Sequence, residues 1–492
     1  MNRFNPLGAL VVFAVVAAAC TGGGSNAPPT TAPSTAVTTG PVASTTTTAP
    51  PPAVTLRRST TTWTTYAHEL TDFGTIRLGS YDGETLVERT FETLVLENEH
   101  LVVTLVPEYG GRILSIVSKE TGHESLYQNP VGVPYQIDTG VFFYDWLMVY
   151  GGIFPTFPEP EHGKTWFLPW EVEVVEESAQ RISVAMSFVD DEDVPLVPRQ
   201  YDGDATGLEV TYLVTLSAGR AAVDVDVTIE NPTGDPVDFE YWTSATLAPG
   251  SDPDDPRVTE EAEIVAPIER IEIPSLWEAI AAQEDRAGLP DVYHFDSLRR
   301  FDAWADLGIA YAFPDMGGAN FWGVIDGDTG EGIFRIADNT VTKGLKMWTW
   351  GRDSVAVDPF AGPDEARPYI ELWAGLTRRF FDETTIEAGE RIEFTETYAP
   401  TIGLSDVTHA DGGFLVDLRV EGDEAVAEVV ALRPDVEVTA RLVSEGEMVH
   451  EERLSGGVSA SRITAGGVSG DVRLELVDGS GEVVFEGAAP TG

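Results

Sequence analysis

The sequence predicts an all-β protein: a large antiparallel sandwich with a helical insertion, followed by a smaller immunoglobulin-like sandwich. Three observations lead there. Val223, Val225, Val227 and Ile229 alternate with Asp224, Asp226 and Thr228, the period-2 signature of a half-buried strand. Short apolar runs are separated throughout by polar Gly, Asp and Asn turns. Only one segment reads as helix, and no alternation of strands with helices suggests parallel βαβ units.

Taken along the chain, Leu94–Leu96 and Leu101–Val106 flank a turn at Glu97-Asn98-Glu99, and Gly110-Gly111 opens a strand over Arg112–Ser118. Asn231-Pro232-Thr233-Gly234-Asp235 turns the chain into a run from Val237 to Leu247, and Asp326–Gly330 separates Phe321–Ile325 from Gly332–Ile336 as a hairpin. Ser275-Leu-Trp-Glu278 reads as a capping box, predicting a helix to about Ala287 with Gly288 and Pro290 as stops. After Tyr398-Ala399-Pro400, short strands over Phe414–Val420, Ala425–Leu432, Val436–Val443, Val472–Leu476 and Val483–Phe485 suit one immunoglobulin-like sandwich. The expected division is 1–20 leader, 21–58 linker, 59–403 main sandwich and 404–492 terminal sandwich.

Arg3 and the apolar run Leu7–Ala19 form a secretory leader, too short for a bilayer that needs about 20 apolar residues. It ends Ala17-Ala18-Ala19-Cys20, which looks like a bacterial lipobox with Ala in place of the usual Leu. Cys20 is the only cysteine, so no internal disulfide exists and the thiol stands where lipid would attach. The expectation is an extracytoplasmic, surface-held lipoprotein touching the bilayer through acylated Cys20. The Thr, Ser, Pro and Gly stretch that follows cannot bury enough surface to order itself and reads as a tether.

The net charge of −51 comes from 81 acidic and 30 basic residues, of which only Lys119, Lys164, Lys343 and Lys346 are lysines. Such a surface repels phosphate backbones, which excludes nucleic acid as a partner. Eleven Trp, 22 Phe and 14 Tyr supply large cores.

Val106-Pro107-Glu108-Tyr109-Gly110-Gly111-Arg112-Ile113-Leu114-Ser115-Ile116 resembles the opening hairpin of galactose-mutarotase-like proteins. The closer likeness is to an uncharacterised bacterial family of that superfamily, often fused to tetratricopeptide repeats. Tyr127–Pro130, Gly151–Pro158, Tyr241–Ala245, Ile336–Asp338, Lys346–Gly351 and Tyr369–Gly375 continue the likeness in order over about residues 88 to 400. The resemblance implies a β-supersandwich with a sugar-sized cleft on its concave face, and no single activity.

Mutarotation needs a base on the anomeric hydroxyl and an acid on the ring oxygen. The resemblance places the base at Glu371, in Tyr-Ile-Glu-Leu-Trp. The acid would be a His within 241–245, where this chain has Trp242, Thr243 and Ser244, a departure that argues against the usual dyad. His162, in a Pro- and Glu-rich loop, is the candidate replacement acid. An ordinary strand carboxylate paired with Arg112 or Arg378 is the alternative for Glu371, and an ordinary surface histidine the alternative for His162.

Sugars present apolar C–H faces to indole rings and hydroxyls to a few fixed polar groups. Trp348 and Trp350 lie two apart, share a strand face, and share it with Lys346. With Arg112, Asp145, Trp166 and Trp242 they make the candidate substrate contacts, core packing being the alternative for any single Trp. No metal or cofactor is expected. Ca²⁺ is a weak candidate at Asp326–Glu331, where a plain hairpin is the better reading.

Three functions remain open: a carbohydrate-binding lipoprotein, a carbohydrate-active enzyme of epimerase-like or glycoside-cleaving type with Glu371 as base and His162 as acid, and a structural or adaptor lipoprotein. The adaptor reading expects Glu371 to be paired and inaccessible. Cleavage would need a second carboxylate, Glu159, Glu161 or Asp145, about 5 to 9.5 Å from Glu371.

Overall fold

A computed structural model describes residues 53–72, 77, 79–132, 151–159, 163–193, 204–282, 285–318, 320–349, 368–433 and 437–490. Within Pro51–Gly492, a single compact unit, strands dominate. Where long alternating segments occur, the alternation sorts apolar side chains to one face: Val223, Val225, Val227 and Ile229 are buried while their neighbours are half-buried.

Two sheets, antiparallel except where Thr55–Ala67 pairs in parallel with Val131–Gly132, build the main sandwich. The larger, of thirteen strands, runs through Val292–His294, Arg270–Glu272, Gly308–Ala312, Gly344–Thr349, Ile370–Gly375, Trp242–Ser251, Glu124–Leu126, Arg112–Ser118, Leu101–Val106, Asp82–Glu97, Thr55–Ala67 and Val131–Gly132. Ile153–Thr156 pairs with both Trp242–Ser251 and Arg112–Ser118. The smaller runs through Ala262–Val265, Phe321–Asp326, Glu331–Ala337, Arg391–Ile402, Val223–Glu230, Glu209–Ser217, Arg181–Val189 and Glu171–Glu177. One apolar cluster fills the space between them, with Leu105, Ile113, Leu345 and Leu372 from the larger sheet meeting Val184, Val214, Val225 and Phe334 from the smaller.

Residues 409–488 form two four-stranded sheets around their own cluster, including Phe414, Leu442 and Leu474. This terminal sandwich is not loosely strung. Leu404, Val407, Leu415, Val430, Leu432 and Val458 belong to the main sandwich's apolar cluster. Polar ties cross the same seam, from Arg299 to Asp406 (3.2 Å) and from Ser459 Oγ to Glu120 (2.7 Å).

The expected helix is corrected. Ser275–Ile280 forms a six-residue 3-10 helix whose cap, Pro274, offers no side-chain hydrogen bond. Ile280 is its only buried residue, and Leu276 is three-quarters exposed, so there is no apolar stripe to hold further turns against the core. Ala281 is already extended, and the Ala287 N–H donates to the Val292 carbonyl at 2.8 Å.

Two strand boundaries also differ. The run read as Val237–Leu247 breaks at Glu240-Tyr241 into Val237–Phe239, which pairs with Thr384–Ile386, and Trp242–Ser251. The first strand begins at Thr55, inside the stretch assigned to the tether, and Val54 just before it is buried. The Asp326–Glu331 segment is a hairpin turn. Asp326 Oδ1 accepts from the backbone of Asp328 and Thr329, and Oδ2 from that of Thr259, so its carboxylate is spent on the turn. Among the described residues no helix is long and apolar enough to cross a membrane.

Candidate functional site

Three adjacent strands of the larger sheet set the site. Gly344–Thr349 pairs antiparallel with Ile370–Gly375, which pairs antiparallel with Trp242–Ser251. Their register puts Trp373 between Lys346 and Ser244, and Glu371 between Trp348 and Thr246. Alternation then places Lys346, Trp348, Glu371, Trp373, Ser244 and Thr246 on one face and Leu345, Met347, Leu372 and Ala245 on the other, although Trp348 and Trp373 are themselves buried and join the same apolar cluster.

Lys346 Nζ donates to Glu371 Oε2 at 2.8 Å, and both side chains are about one-twentieth exposed. The ammonium also stands 4.3 Å above the Trp373 ring and 5.4 Å from that of Phe380, where the π-faces favour a cation. Ser244, fully buried, has a hydroxyl with no hydrogen-bond partner among the described residues. Trp348 leans on Tyr369, which stacks on Tyr127 with centroids 4.0 Å apart.

The expected partners of Glu371 are corrected here. Arg378 pairs with Glu272 at 2.6 Å, joined there by Arg379. Arg112 is wholly buried and donates to the carbonyls of Tyr109 (2.8 Å), Gly151 and Trp166 (2.8 Å), with its guanidinium over Tyr109 and Phe154. It ties the hairpin Tyr109–Arg112 to two segments distant in sequence.

Trp166 lies in a second apolar cluster with Trp63, Phe91, Tyr109 and Phe154, also buried. Gly110 and Gly111 permit that packing: both have positive φ, and a Cβ on Gly110 would lie 1.9 Å from the Trp166 carbonyl oxygen. Lys164 anchors the same loop through a buried pair with Asp190 at 2.7 Å.

Trp242 lies within 241–245, the region where the resemblance implies an acid, and it too is buried. Its ring lies over two glycines: a Cβ on Gly375 would be 2.4 Å from it and one on Gly344 2.8 Å. Its Nε1 donates to Glu240 Oε2 at 3.2 Å. Burial pushes the Glu240 carboxyl up to about 8, with Asp382 and Glu383 adding to the effect and the bonds from Trp242 and the Phe381 N–H offsetting part of it.

The structure thus brings together Glu371, Lys346 and Trp348, all three buried, and places Arg112, Trp166 and Trp242 in packed interior positions elsewhere. His162, Asp145, Trp350 and Cys20 lie outside the described residues. Trp373, Ser244, Phe380 and Glu240 are additions. Trp373 was within reach of the alternation rule, standing two residues after Glu371; the others carry no sequence signal.

A tetratricopeptide-repeat-domain-containing protein from Parabacteroides distasonis is 18% identical, over 73% of this chain and 57% of that one, with a TM-score of 0.55. This chain therefore spans somewhat over half of that protein's length and shares its fold. Other similar solved structures are a galactose mutarotase-like protein from Clostridium acetobutylicum (10% identity, 63% of this chain, 96% of that one, TM-score 0.43) and a putative aldose 1-epimerase from Escherichia coli K12 (13%, 62%, 96%, 0.41). Residues 78–192 match the family described as a domain of unknown function, DUF5107.

Proposed function

We propose that this chain is a surface-anchored lipoprotein that binds a carbohydrate on the sheet face carrying Lys346, Glu371 and Trp348. The observation that supports it is the Lys346–Glu371 pair, its ammonium near the rings of Trp373 and Phe380, on the face that also carries the unmet hydroxyl of Ser244. An ammonium donor, a carboxylate acceptor and a hydroxyl that can do either match vicinal sugar hydroxyls, and an indole such as Trp348 matches the C–H face of the ring.

Binding is favoured over catalysis. Glu371 Oε2 is already committed to Lys346, and within 241–245, where the resemblance implies an acid, Trp242 is packed over glycines. One observation favours the adaptor function as a second reading: Glu371 is paired and nearly inaccessible.

The test is thermal stabilisation of residues 51–492 by a panel of mono- and oligosaccharides at moderate salt. A ligand at 100 times its dissociation constant adds about 2.7 kcal/mol. A shift lost in Trp348→Ala supports binding at this face; a well-folded protein with no shift across the panel favours the adaptor. For the anchor, Cys20→Ser should move the full chain from the membrane fraction to the soluble one.

A further inference from the structure

Phe381 combines two features that each cost stability. Its φ is +66°, in the left-handed region that a phenylalanine rarely adopts. Its side chain is 60% exposed, while the neighbouring Phe380 is buried. Glycine would hold the same turn without the strain and without an apolar ring in water.

The backbone around Phe381 is fixed from several sides. Its N–H donates to the Glu240 carboxyl. Arg378 and Arg379 are both held by Glu272, at 2.6 and 3.0 Å. Thr377 Oγ1 donates to the Arg379 carbonyl at 3.1 Å, and Arg379 pairs with Asp382 at 3.5 Å. So constrained a turn fixes the direction in which the Phe381 side chain leaves the backbone.

The turn lies beside the proposed site. Phe380 is 4.9 Å from Trp242, 5.2 Å from Trp373 and 5.4 Å from Lys346 Nζ, and the Phe381 ring is 6.4 Å from Phe380. Phe381 therefore stands one ring further out than the aromatic wall around Lys346.

We propose that Phe381 is a stacking platform at the rim, and that the ligand is an oligosaccharide whose inner unit meets Lys346 and Glu371 while an outer unit lays its C–H face on the Phe381 ring. This rests on the carbohydrate-binding reading above. Exposed aromatic rings stack on sugar units at little conformational cost, because few torsions are frozen. The charges around the platform are mixed, Arg378 and Arg379 pairing with Glu272 and Asp382 beside Glu383, so the saccharide it suits is a neutral one.

The experiment compares the wild-type protein with Phe381→Gly, Phe381→Trp and Trp348→Ala. Each is titrated calorimetrically with glucose, galactose, and malto- and cello-oligosaccharides of two to six units. Phe381→Gly should melt at or above the wild-type temperature, since it relieves strain. It should also bind the longer saccharides about tenfold more weakly, with monosaccharide binding unchanged, while Phe381→Trp retains affinity and Trp348→Ala weakens every length. If oligosaccharides bind but Phe381→Gly binds them like wild type, the platform is overturned and the inner site stands. If wild type binds no saccharide of any length, the carbohydrate reading falls and the platform with it.

Discussion

Lys346 faces Trp373 directly across an antiparallel pair and reaches diagonally to Glu371, two residues back, so one ammonium serves both a π-face and a carboxylate. Diagonal neighbours of this kind lie within reach of a long side chain. The consequence is energetic coupling. Lys346→Met should destabilise the fold by about 3–5 kcal/mol because it strands the Glu371 charge, whereas Lys346→Met with Glu371→Leu should recover most of that. Urea unfolding of the two singles and the double gives the cycle.

Ser244→Ala removes a buried hydroxyl that has no described partner. It should leave stability unchanged or raise it by about 1 kcal/mol, because an unsatisfied polar group is lost and no bond is broken. On the proposed function, the same substitution weakens saccharide binding. A variant that is at once more stable and a poorer binder would separate this role from packing.

Glu240 makes stability depend on pH. Its carboxyl is held at about 8 in the folded chain, against 4.5 when unperturbed, so between these values the folded chain keeps a proton that the unfolded chain has released. Stability from this group therefore falls as pH rises from about 4.5 toward 8, and the loss is complete above that. Urea midpoints at pH 5, 7 and 9 should decline less in Glu240→Gln, whose amide oxygen can still accept from Trp242.

Gly375→Ala places a methyl 2.4 Å from where the Trp242 ring lies. The ring must move, at a cost of about 1–3 kcal/mol for overpacking. Altered tryptophan fluorescence alongside the lower urea midpoint would identify Trp242 as the displaced group.

Much of the scaffold was legible because alternation is local. Val223–Ile229, the strands flanking Glu97–Glu99 and the Phe321–Ile336 hairpin can each be read from a dozen residues. Lys346 and Trp348 shared a face for the same reason, and the rule that paired them would also have named Trp373. Arg112 was misread as a ligand contact because its acceptors at Gly151 and Trp166 come from far along the chain, and only folding brings them together. The helix expected from Ser275 failed on burial: a capping box can start a helix, but one buried Ile280 cannot sustain it. Glu240 was invisible because its altered acidity arises from burial, which only the folded chain imposes, with Asp382 and Glu383 on a loop some 140 residues later adding to it.

The terminal sandwich shares an apolar cluster with the main one, with Val407, Leu415, Val430 and Leu432 joining residues from the larger body. Evolution can add or delete an appended bead on a string without cost to what remains. Here a chain ending near residue 403 would lose part of its own interior and bare an oily seam to water, inviting self-association. The two sandwiches share one interior, so any binding task assigned to one is carried by a body whose packing depends on both.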